Sequence, residues 1–167
     1  EASIYAMENG SVSSAAIMVP CPWFPEIAAF ARAHPKADFG LHLTFTSEWK
    51  YFKWAPVTAK EKVPGLVNKY GFMYESVDSV QMNSKPGEVE MEIRAQIERA
   101  KQFGIDITHL DSHMGTLFGK TEYLEALVKL GREYKIPVML NKQIVDAMPA
   151  NLHNTKDAVM EMIYVES

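Results

Sequence analysis

Cysteine is all but missing from this 167-residue chain, in which Cys21 stands alone. That excludes an intrachain disulfide and a zinc site built on cysteine thiolates. A lone thiol fits a reducing cytoplasm, and equally an exported bacterial protein that does without disulfides, so cytoplasm and periplasm both stay open. No apolar run approaches the ~20 residues of a membrane span. Excess positive charge is absent too: the net charge is −4, without the basic face that nucleic acid or an anionic membrane would want. The sequence holds no GxSxG elbow, no phosphate-binding P-loop and no GxGxxG following a strand. Cys21, set between Pro20 and Pro22, has no evident base beside it, so inert packing is its expected role.

What is present suits a folded globular protein. Hydrophobic residues make up 47% and charged residues 23%, enough apolar material for a sizeable core. Residues 1–9 read as the tail of a helix stopped by Gly10, and Val12 to Val19 as a short apolar strand. Phe24 to His34 reads as a helix ended by Pro35. From Ala37 to Thr46 the side chains alternate: Phe39, Leu41, Leu43 and Phe45 share one face of a strand, and Gly40, His42, Thr44 and Thr46 share the other. Residues 47–87 carry no long periodic segment, only aromatics punctuated by proline and glycine, and so read as one long loop insertion. Glu88 to Phe103 is a helix with the stripe Val89, Ile93, Ile97, Ala100 and Phe103. Ile105 to Leu110 reads as a strand running into Asp111-Ser112-His113. Beyond it lie a helix over Thr121 to Tyr134 capped by Thr121, a strand over Ile136 to Leu140 and a helix over Thr155 to Tyr164.

Helices alternate with strands throughout, which predicts one α/β domain over residues 1–167 with parallel strands. Four strands are too few for a closed barrel of about eight. Together with a helix that opens at Glu1 without a cap, this predicts that the chain is part of a longer domain.

Chemistry in such folds gathers at the carboxyl ends of the strands. His42 lies within its strand, and Asp111 and His113 lie where theirs ends, so all three fall in that zone. Neutral imidazole is a good ligand for a divalent cation, and a carboxylate can ligate metal or act as a base. A packed histidine and ordinary turn chemistry at Asp111-Ser112-His113 are the competing explanations. His109 and His113 are four apart, but on a strand and loop rather than a helix, so the HExxH logic does not apply.

Taken together, Gly40-Leu41-His42-Leu43-Thr44 and His109-Leu110-Asp111-Ser112-His113 resemble the YdjC-like carbohydrate deacetylases, a group that includes chitooligosaccharide and hopanoid-linked N-acetylglucosamine deacetylases. The resemblance extends over most of residues 6–140. It includes the Gly10 to Val19 strand, Val63 to Val67 with Tyr70-Gly71-Phe72, Arg94 to Gln96, and Gly104. It implies a parallel (β/α) barrel-like deacetylase fold, incomplete in this chain, and a divalent metal, Zn²⁺ or Mg²⁺, held by one aspartate and two histidines. His42 and His113 match the two histidines. The aspartate would come from an Asp-Asp pair upstream of residue 1, and Asp38, directly before the histidine strand, is not its equivalent. Two departures stand out: Gly115 occupies a place where many members carry a further histidine, and no histidine-proline motif precedes Ser167.

The implied reaction is hydrolysis of an N-acetyl group on an amino sugar. Asp111 is the candidate catalytic residue, either orienting a ligating histidine or acting as an auxiliary acid or base, and Trp49 and Trp54 are the candidates for stacking on sugar rings. A small N-acetylated sugar is the expected partner, and a homodimer stays open. The alternatives are a metal-dependent phosphodiesterase or other hydrolase on the same scaffold, and a non-catalytic carbohydrate-binding protein.

Overall fold

The computed structural model describes residues 2–147, and the helix expected over Thr155 to Tyr164 lies outside them. Three parallel strands, β1 (Ser14–Ile17), β2 (Asp38–Leu43) and β3 (Leu110–Ser112), form a sheet in the order β1-β2-β3. Helices α1 (Ala2–Glu8) and α2 (Phe24–Ala33) flank β1 in sequence. Helices α3 (Val77–Asn83) and α4 (Pro86–Gln102) lie between β2 and β3, followed by α5 (Thr121–Tyr134) and α6 (Lys142–Ala147). The α/β class with parallel strands is as the alternation of elements predicts.

The helices end where residue chemistry requires. Gly10 takes a left-handed φ of 72° just past α1. Pro86 opens α4, where a missing N–H costs no hydrogen bond. Of the predicted stripe, Val89, Ile93, Ile97 and Ala100 are fully buried, while Phe103, just past the end of α4, is half-buried; α4 packs on α5 and against β2. Thr121 is not the cap of α5: Lys120 holds that position, with no side-chain cap.

All four predicted strands shrink: the one over Val12 to Val19 becomes Ser14–Ile17, and the one over Ala37 to Thr46 becomes Asp38–Leu43. Residues 105–109 are not strand, although Thr108 N–H donates to Phe39 O and Leu41 N–H to the His109 carbonyl, and the ladder proper covers only Leu110–Ser112. Ile136 to Leu140 reduces to a single parallel bridge, Leu110 to Val138. Pro137 has no N–H, so the ladder gains no bond ahead of the Leu110 N–H to Pro137 O and Met139 N–H to Leu110 O pair.

The 47–87 insertion is more ordered than its lack of periodicity suggests. It contains a short 3₁₀ turn at Pro64–Leu66, an antiparallel bridge from Val67 to Met73 and a parallel one from Thr46 to Tyr74. It also contains α3, whose N-cap Ser76 accepts from Ser79 N–H. Only Val80 of α3 is buried, which is too little apolar signal for a periodicity argument to find.

Candidate functional site

His42 and His113 come together. His42 projects from β2 and His113 follows β3 directly, and their imidazole rings sit edge to face with centroids 5.0 Å apart. The sheet sets this geometry, because His42 lies opposite Asp111 in the β2–β3 register, placing His113 two residues beyond that pair. After His113 the chain turns sharply through Met114 (φ 55°) and Gly115 (φ 64°), two successive left-handed residues. Such backbone is costly for methionine and natural for glycine, which accounts for Gly115 in that place. The turn is pinned by Thr116 Oγ1 donating to the His113 carbonyl (3.0 Å) and Leu117 N–H donating to Ser112 Oγ (3.0 Å).

Each imidazole is backed by a carboxylate. His42 Nδ1 is hydrogen-bonded to Asp111 Oδ1, and His113 Nε2 to Glu48 Oε1 at 3.0 Å. With the carboxylates as acceptors, both rings donate outward and are left with a lone pair on the other nitrogen, Nε2 of His42 and Nδ1 of His113. Metal-binding histidines are held in this way, their second nitrogen tied to a carboxylate that fixes the tautomer. Burial holds the His113 pKa below the ordinary histidine value. Glu48 pulls it upward and His42 downward, with burial prevailing, so the neutral form that can ligate is favoured.

Sequence reasoning does not single out Glu48, which lies in an aromatic-rich stretch just after β2. The available signal was a carboxylate just past the carboxyl end of the histidine-bearing strand. Glu48 also accepts from Thr46 Oγ1 (3.3 Å), and its charge acts on Cys21. Burial, reinforced by Glu48, raises the Cys21 thiol to about 11, which keeps it protonated and unreactive.

The other singled-out residues separate cleanly. His109 is buried, hydrogen-bonded through Nδ1 to Thr108 Oγ1 (2.9 Å), and lies against Gly40 so closely that a Cβ there would fall 2.3 Å from the ring. Asp38 stands at the other end of β2 from His42, hydrogen-bonded to Thr108. Trp49 is 63% exposed, whereas Trp54 is 5% exposed, with its indole N–H donating to the Thr46 carbonyl (2.8 Å). Trp54 is thus enclosed within the insertion, while Trp49 is open to solvent. Trp23, which the sequence did not mark, is 62% exposed and pairs with Phe52 at 5.0 Å between ring centroids. Gly115-Thr116-Leu117-Phe118-Gly119-Lys120-Thr121 falls one residue short of phosphate-loop spacing, and the Lys120 ammonium is engaged with the Gln81 carbonyl.

A cavity of about 300 Å³ lies along the edge of β1 that pairs with no strand among the described residues, lined in part by Ala15, Ile17, Met18, Cys21, Trp23 and Ile4. The histidines are not among its lining residues. Among the described residues, no three His, Cys, Asp or Glu side chains converge to hold a metal ion. The donors nonetheless suit a divalent cation, since two imidazoles meet edge to face with carboxylate support. Two imidazoles supply part of a shell that normally takes three or more protein ligands.

An α/β fold with a small parallel sheet and paired, carboxylate-backed histidines at its carboxyl end defines the class of this protein. The chain belongs to the YdjC-like protein family, whose model matches residues 1–165. It is 32% identical over 135 residues to the carbohydrate deacetylase of Brevibacillus brevis, an alignment covering 81% of this chain and 50% of that protein. It is 31% identical over 120 residues to the carbohydrate deacetylase of Thermus thermophilus, covering 72% of this chain and 41% of that protein. The chain thus spans about half the length of such curated relatives. Its fold is shared by an Enterococcus faecalis protein named for cellobiose-phosphate cleavage, with a TM-score of 0.77 at 23% identity, over 99% of this chain and 60% of that one.

Proposed function

We propose that this chain carries part of the active site of a metal-dependent carbohydrate deacetylase, a hydrolase that removes N-acetyl groups from amino sugars or their oligomers. The observation that carries the reading is the adjacent pair His42 and His113, edge to face and each backed by a carboxylate. The names of the curated relatives point to the same substrate class. His42 would ligate through Nε2 and His113 through Nδ1, with the third protein ligand supplied from outside the described residues. Imidazole donors favour Zn²⁺ over Mg²⁺. A divalent ion held there would polarise the acetamide carbonyl and bring bound water toward a neutral pKa.

The chain's own groups have separable tasks in this reading. Asp111 accepts from His42 Nδ1 and so holds that ring's tautomer and direction, and Glu48 does the same for His113. We assign to Trp49, exposed one residue beyond Glu48, the role of stacking on a sugar ring. Trp54 would shape the insertion from within. We also read the sheet as part of a barrel-like one, in which the open edge of β1 and its apolar cavity are covered in the whole protein.

The test is acetate release by the full-length protein from N-acetylated chitooligosaccharides, with and without added Zn²⁺, alongside assays for phosphate and free-sugar release. Metal-stimulated acetate release supports the reading. Phosphate release in its place would make the protein a phosphodiesterase on the same scaffold, and binding without turnover a carbohydrate-binding protein.

A further inference from the structure

Helix α4 carries a polar row that faces inward. Glu88, Glu92 and Gln96 are four residues apart, hence on one face, and all three are buried. Buried carboxylates and amides are costly unless hydrogen-bonded, and here every partner named is the backbone of the 44–65 stretch, the start of α4, or another member of the row. Gln96 treats Thr44 as a neighbouring strand would: its Oε1 accepts from Thr44 N–H (3.0 Å) and its Nε2 donates to the Thr44 carbonyl (2.7 Å). The same Nε2 donates to Glu92 Oε1 (3.0 Å). Glu92 in turn accepts from the N–H groups of Val57 and Thr58, one on each carboxylate oxygen, both at 2.9 Å. Glu88 accepts from Gly65 N–H (2.9 Å) and Lys85 N–H (2.7 Å).

These bonds have a consequence for the site. Thr44 is two residues beyond His42, and its hydroxyl donates to the His42 carbonyl (2.6 Å). Between Thr44 and Val57 lie Glu48, which holds His113, and the aromatics Trp49, Tyr51 and Phe52. Both ends of that excursion therefore close on two side chains bonded to each other one helical turn apart. Its middle is held separately, by Ser47 N–H donating to Tyr74 O and Trp54 N–H donating to Ser47 Oγ.

We propose that Glu92 and Gln96 are positioning residues for the candidate site, clamping both ends of segment 44–58 so that Glu48 meets His113 and Trp49 faces the substrate side. The clamp depends on donor and acceptor pattern as well as on volume. Gln96→Glu keeps the size but removes the donor to the Thr44 carbonyl and sets a second carboxylate against Glu92. Glu92→Gln keeps the size but aims an amide N–H₂ at a backbone N–H.

The test is amide hydrogen exchange, resolved by peptide, on the full-length protein and on each variant, with thermal unfolding in parallel. In Gln96→Glu, peptides covering 44–58 should exchange about 10- to 100-fold faster, as expected when buried hydrogen bonds are lost, while α5 and β3 keep their protection. Glu92→Gln should show the increase mainly at Val57 and Thr58, and it carries the test if Gln96→Glu does not fold. Unchanged exchange over 44–58, or an equal rise throughout the sheet and α5, would overturn the clamp. The effect on catalysis rests on the deacetylase reading: there Gln96→Glu should lower kcat about tenfold or more for acetate release, with KM changed less. Faster exchange with an unaltered kcat would overturn the positioning role. If the unsubstituted protein releases no acetate, the deacetylase reading fails and the clamp is decided by exchange alone.

Discussion

Asp111 stands directly opposite His42 across the β2–β3 ladder, its carboxylate hydrogen-bonded to the Nδ1 of that imidazole. Strand register, not loop conformation, makes this contact, so it is as rigid as the sheet. Replacing Asp111 with Asn keeps the size but removes the charge and the obligate acceptor. Divalent metal affinity in the full-length protein should fall about 10- to 100-fold, the usual cost of losing such support. Competition titration against a zinc chelator measures it, and an unchanged affinity would mean that Asp111 does not orient a ligand.

His113 should titrate below the ordinary histidine value of 6.5 in the metal-free protein, with burial as the main cause. Because the folded value lies below the unfolded one, this group's contribution to stability is constant above about pH 6.5. It declines as pH falls from there toward the folded value, since the unfolded chain takes up the proton first. Glu48 raises the His113 pKa, so Glu48→Gln should lower it further. Following the His113 ring proton by NMR across pH 4 to 8, roughly spanning the histidine range, checks both directions. An upward move in Glu48→Gln would contradict the pairing.

Gly40→Ala should be destabilising without touching the histidine pair. An added Cβ would lie 2.3 Å from the buried His109 ring, forcing that ring off its place. Overpacking of this kind costs about 1–3 kcal/mol, readable in a urea melt. A neutral result would show that His109 repacks freely.

The two tryptophans should behave oppositely. Trp54→Ala removes a buried ring that donates to the Thr46 carbonyl and should cost about 3–5 kcal/mol of stability. Trp49→Ala alters an exposed ring and should change stability by no more than about 0.5 kcal/mol. Its effect should appear in KM for oligosaccharide instead. Equal loss of stability in both variants would contradict the assignment.

Much of this was legible in the residues. The strict alternation from Phe39 to Phe45 located β2 and placed His42 away from the apolar side chains, and the stripe Val89 to Ala100 located α4. The two histidine motifs named the residues that meet. What stayed hidden depends on contacts between segments distant in sequence. Glu48 acquires meaning only when the chain folds back onto His113, 65 residues later, and nothing local distinguishes it from a solvated carboxylate. Trp49 and Trp54 look alike in sequence, and only the backbone of the insertion decides which is enclosed. The Glu88–Glu92–Gln96 row would ordinarily be read as a wet helix face, because its partners are backbone N–H groups that leave no mark in a sequence. Pro137 is the one local mark against a full strand over Ile136 to Leu140, where only the bridge at Val138 forms.

The central claim is that His42 and His113 are ligands of one divalent ion. It is tested most directly by measuring the metal content of the full-length protein and of His42→Ala and His113→Ala, each purified without chelator and shown to be folded by circular dichroism. One equivalent of metal in the unsubstituted protein and almost none in either variant is the expected result. Full occupancy in both variants would contradict the account.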